Sequence, residues 1–77
     1  MEVVISYQNA PKGCFSLYFY EGDHLKYWCL FLMNERLHLK AFLKDHGVAR
    51  VVLLNITSDD LHMLTYLSRH FDFGIGA

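Results

Sequence analysis

Two apolar stretches, Cys14-Phe15-Ser16-Leu17-Tyr18-Phe19-Tyr20 and Leu25-Lys26-Tyr27-Trp28-Cys29-Leu30-Phe31-Leu32-Met33, flank the polar break Glu21-Gly22-Asp23-His24 and hold more than half of the aromatic residues. Gly22-Asp23 suits the positive φ of a tight turn, so the pattern predicts a β-hairpin over Cys14 to Met33. With those two as the loop, Tyr20 opposes Leu25, Tyr18 opposes Tyr27, Ser16 opposes Cys29 and Cys14 opposes Phe31, all on one face. The other face carries Phe15, Leu17, Phe19, Trp28, Leu30 and Leu32 and reads as core. A four-residue loop keeps this split, whereas a three-residue loop exchanges the faces of one strand. The tyrosine face mixes apolar bodies with polar tips, as contact surfaces do.

Before the hairpin, Glu2 to Tyr7 alternates as a strand, and Gln8 to Gly13 breaks it with the chain's one proline. After it, Asn34 as N-cap and Glu35 near the positive end of the dipole predict a helix from about Glu35 to His46, stopped by Gly47. Leu39, Phe42 and Leu43 share one side of that helix, and Arg36, Lys40 and Lys44 line another. Ala49 to Ile56 is apolar on both faces, as a strand covered on both sides would be. Thr57 and Asp60, with Ser58 as an alternative cap, open a second helix to about His70 whose apolar arc is Leu61, Met63, Leu64, Leu67 and Phe71. The tail Phe73-Gly74-Ile75-Gly76-Ala77 either adds an edge strand or frays.

The expected fold is therefore a small α+β domain of element order βββαβα: a single-layer, mostly antiparallel sheet, with room for a short fifth strand and two helices packed on it. A crossover through the first helix sets the fourth strand parallel to the first. Placed beside it, the order 3-2-1-4 resembles the start of the ribonuclease H-like fold in topology, and no motif accompanies the resemblance. That family implies carboxylates at the centre of strand one and the end of strand four. Ser6 and Tyr7 stand at the first place, and Asp59 and Asp60 at the second are better explained by a helix dipole.

With 77 residues the chain makes one domain. An apolar share of 53% is high for a surface-rich domain, and self-association or a docked partner hides the surplus. Two cysteines make no disulfide framework and favour a reducing, cytoplasmic setting. Met1 to Ile5 has neither a basic start nor a long apolar run, so neither secretion nor membrane insertion is expected. A net charge of −1 offers nucleic acid no general attraction.

Candidate chemistry is sparse. Among the five histidines, His38 and His46 stand eight apart, as do His62 and His70, two helical turns and too far for one metal. No catalytic, cofactor or metal residue is assigned. Cys14 and Cys29 in mid-strand read as packing, and Asp72-Phe73-Gly74 matches the kinase magnesium tripeptide in letters alone. The expected function is a non-enzymatic protein-binding module, homodimeric and also engaging an unidentified protein, of the kind mobile elements encode as small regulators or inhibitors. Its contact residues are Tyr18, Tyr20, Tyr27, Trp28 and Phe31. One alternative is nucleic-acid binding along Arg36, Lys40 and Lys44, extended by Lys26, with tyrosines stacking on bases. Another is a small apolar ligand in a pocket beneath Trp28.

Overall fold

The computed structural model describes residues 1–6, 10–54 and 66–76. Five strands, β1 (Glu2–Ser6), β2 (Cys14–Glu21), β3 (His24–Leu32), β4 (Arg50–Leu54) and β5 (Asp72–Gly76), form one sheet in the order β3-β2-β1-β4-β5. The β1–β2 and β2–β3 pairs are antiparallel, while β1–β4 and β4–β5 are parallel. The sheet is thus mixed rather than mostly antiparallel, because the glycine-rich tail adds β5 alongside β4. Its two glycines admit the neighbouring strand's side chains: a Cβ on Gly74 would lie 2.8 Å from Arg50 Nη2, and one on Gly76 would collide with Leu54 Cδ2.

The hairpin forms as expected at Gly22-Asp23, with Glu21 opposite His24 and Tyr20 opposite Leu25. Between Phe19 and Tyr20 the register then shifts, so that Phe19 pairs with Tyr27, Tyr18 with Trp28, Leu17 with Cys29, Ser16 with Leu30 and Phe15 with Phe31. Lys26 is the extra residue of a β-bulge. Since side chains alternate along a strand, one extra residue exchanges every face beyond it. This corrects the expected pairings of Tyr18 with Tyr27, Ser16 with Cys29 and Cys14 with Phe31, and moves Trp28, Leu30 and Leu32 off the core face. The physical reason is Lys26 itself: without the bulge it would oppose Phe19 on the side that becomes the core.

A 3₁₀ helix, Met33–His38, follows β3 directly and runs into helix α1, Leu39–Asp45. The expected helix therefore starts as the tighter form, and its N-cap is the extended Leu32 rather than Asn34. A chain leaving a strand without a loop has no residue free to cap by side chain. At the other end Gly47 has φ 71°. Its N–H donates to Lys44 O and that of Val48 donates to Leu43 O, each at 3.1 Å, the Schellman arrangement. Val48 and Leu43 are both buried there, as that motif's apolar contact requires.

Of the second expected helix, residues 66–68 are helical. Its Thr57, Ser58 and Asp60 caps, together with Leu61, His62, Met63 and Leu64, lie outside the described residues. Leu67 and Phe71 join the core with Val3, Ile5, Phe15, Leu17, Phe19, Leu39, Leu43, Val51 and Leu53. Reading across the sheet, Tyr27, Phe19, Val3, Val51 and Phe73 form one row, and Cys29, Leu17, Ile5, Leu53 and Ile75 the next. Both rows face α1. No helix among the described residues is long and apolar enough to cross a membrane.

Candidate docking surface

Strand alternation carries the remaining residues to the opposite face. There Trp28, Tyr18, Val4, Val52 and Gly74 form one row, and Leu30, Ser16, Ser6, Leu54 and Gly76 another. The ring of Trp28 stacks on that of Tyr18 at 6.4 Å between centroids, and Tyr20 is half-buried one row along. Ser6 and Ser16 are buried. A third row, Leu25, Tyr20, Glu2, Arg50 and Asp72, closes the face with charge. In it Arg50 reaches Glu2 at 3.3 Å through Nε and Asp72 at 3.2 Å through Nη1. The face is thus apolar toward β3 and flat at the glycines of β5.

Exposure is concentrated on β3. Of the eight exposed large apolar residues among the described ones, five belong to this strand: Leu25, Tyr27, Trp28, Leu30 and Leu32. Trp28 is 57% exposed. Among the described residues β3 is also the longest strand, with nine residues, and it forms one edge of the sheet, so one row of its backbone donors and acceptors has no described strand beside it.

The five expected contact residues do not all meet. Tyr18, Tyr20 and Trp28 share the open face. Tyr27 and Phe31 lie on the helix side, where Tyr27 stacks on Phe19 at 4.5 Å and Phe31 sits 5.5 Å from Phe15 and 5.3 Å from Phe42. Leu30 and Leu32, expected in the core, take their places on the open face. The signal that could have placed them was Lys26, a charge that the same alternation puts on the face assigned to the core.

His46 completes the cluster beneath Tyr27, with its ring 4.2 Å from Phe42 and 5.4 Å from Phe19. Its Nδ1 lies 2.8 Å from Phe42 O, so that nitrogen carries the proton and donates it. The two cysteines are free and lie on opposite faces, Cys14 opposite Leu32 and Cys29 opposite Leu17. Burial pushes the Cys29 thiol above its ordinary value, which makes it a poor nucleophile.

The basic line is partly assembled. Arg36 is exposed on the 3₁₀ helix and its Nη1 donates to Met33 O at 3.3 Å. Lys40 and Lys44 follow on α1, and both, with Arg69, act on His70. Desolvation first, then the charges of Lys40, Lys44 and Arg69, hold the His70 imidazole below its ordinary value. Folding therefore disfavours its proton, so stability falls as pH drops through the unfolded histidine range near ~6.5 and is restored above it. The double substitution Lys40→Ala, Lys44→Ala should raise the His70 titration midpoint in an NMR pH series, and added salt should do the same in the parent chain. A midpoint unmoved by both would show that these cations do not act on the ring.

No group of three or more potential metal ligands occurs among the described residues. Comparison with family models, curated proteins and solved structures finds no match to this chain.

Proposed function

We propose that this chain is a non-enzymatic protein-binding module that docks through the open face and free edge of its hairpin, with a second copy of itself as a partner. The observation that carries this reading is the concentration of exposed apolar side chains on one edge strand, beside a face that α1 does not cover. Tyr18, Tyr20 and Trp28 are large amphipathic anchors of the kind that dominate interface energies, and Leu30 and Leu32 extend them to the edge. A small regulator or inhibitor that works by occupying another protein's surface fits this arrangement. The likeness of the first four strands to the ribonuclease H-like order is one of topology, and it brings no catalytic carboxylate to the centre of β1, where Val4 stands.

Trp28 is the only tryptophan, so it reports its own burial. On association its emission should move to shorter wavelength as protein concentration rises, in step with the sedimentation mass. Trp28→Ala should weaken association about tenfold or more. Leu37→Ala should leave it unchanged, although Leu37 is 79% exposed, because it belongs to the 3₁₀ helix and not to the face. An association that Trp28→Ala does not weaken would overturn the reading.

A nucleic-acid reading draws on Lys40, Lys44 and Arg69 gathered around His70. It requires that Lys40→Glu abolish binding and that affinity fall steeply with salt.

A further inference from the structure

We infer that two copies of this chain join their β3 edges antiparallel about a two-fold axis at Leu30, giving a continuous ten-stranded sheet. This rests on the docking reading above and fixes its partner and register. The phase of the ladder comes from one bond: Met33 N donates to Gly13 O at 2.8 Å, in line with the pairing of Cys14 with Leu32. Hydrogen-bonded pairs alternate along an antiparallel ladder. Phe31, Cys29 and Tyr27 therefore turn their backbone groups toward β2, and Leu32, Leu30 and Trp28 turn theirs outward.

An isologous antiparallel contact must place one residue opposite its own copy. At Leu30, the outward groups of Leu30 meet each other and those of Trp28 meet Leu32 of the second copy, about six backbone hydrogen bonds in all. At Trp28, the pairing would run into the bulge at Lys26 and lose its outer bonds. At Cys29, only the Trp28 and Leu30 pairs would form cleanly. The Leu30 register also sets Lys26 opposite Asn34, so no like charges face each other, and every side chain between them is uncharged. Residues 27–33 contain no proline and no charge, the devices that normally blunt an edge. Seven residues at ~3.4 Å give an edge of about 24 Å, a contact at the small end of specific interfaces, so the dimer should dissociate on dilution in the micromolar range. The two-fold is perpendicular to the sheet, and it joins the two open faces into one.

The test uses the full chain with Cys14→Ser and Cys29→Ser as background. Leu30→Cys should cross-link under mild oxidation, since the two Cα atoms of such a pair stand at ~5.5 Å, within disulfide reach. Trp28→Cys should not. Separately, Leu30→Lys and Leu30→Glu should each weaken self-association at least about tenfold, and an equimolar mixture should recover a heterodimer of twice 9.0 kDa. Leu30 is 45% exposed, so neither change disturbs the core. Association without the Leu30→Cys cross-link, or without rescue by mixing, overturns the register and leaves docking intact. A 9.0 kDa species with Trp28 still exposed at the highest concentration overturns both.

Discussion

Phe19→Ala should cost about 3–5 kcal/mol and leave the domain largely unfolded in mild denaturant. Phe19 is fully buried, pairs with Val3 on one side and Tyr27 on the other, and lies against α1 through Phe42 at 6.3 Å and His46 at 5.4 Å. Its stack on Tyr27 adds roughly 0.5–1.5 kcal/mol beyond area burial. A chain of 77 residues has a total stability of about 4–12 kcal/mol at the usual ~0.05–0.15 per residue, so this one truncation removes about a quarter of it or more. Urea titration followed by far-UV circular dichroism measures the loss, and Phe19→Leu should retain most of the stability. A loss below about 1 kcal/mol would mean that Phe19 is not the centre of the packing between hairpin and helix.

Much of the fold was legible because local and global signals agreed. The alternation of Val3 and Ile5 against Val4 and Ser6 puts the first pair in the core. Val51 to Leu54 reads as a central strand, and β4 lies between β1 and β5, although Val52 and Leu54 on its second face are only half-buried. Gly47 ends α1 where a left-handed residue is needed. Three features were not legible. The tail pairs because Gly74 and Gly76 make room for Arg50 and Leu54, a reason that exists only once β4 is beside it. The 3₁₀ start of the helix follows from the direct exit of Leu32 from β3. The five candidate contact residues divide between two faces for the same reason that the register was wrong: both sets of alternate residues in β3 are apolar, so hydrophobicity alone does not choose between them. Its position at the sheet edge, in contrast, followed from the order of elements and their connections.

Lys26 makes that choice, and Lys26→Leu should undo it. In the unbulged register Lys26, Trp28, Leu30 and Leu32 would face α1 with Phe15, Leu17 and Phe19. A bulge forfeits about one ladder hydrogen bond, a net ~1 kcal/mol. A buried, unpaired ammonium costs several kcal/mol, and even a lysine stretched out to water would displace Tyr27 from its 4.5 Å stack on Phe19. The bulge therefore wins in the native chain. With leucine at position 26 the penalty on the regular register vanishes, and two sheets of opposite β3 orientation come within a few kcal/mol of each other. The slipped form buries Trp28 and brings Cys29 to the open face. The expected result is a second set of amide signals for residues 26–32, Trp28 emission at shorter wavelength with less iodide quenching in dilute protein, and faster thiol labelling of Cys29 in a Cys14→Ser background. Lys26→Gln should keep the native register, since a buried amide without a partner is also disfavoured. A single set of signals in the leucine variant, with Trp28 as open to iodide as before, would show that aromatic stacking of Tyr27 and Phe31 on the helix side holds the register without help from the lysine.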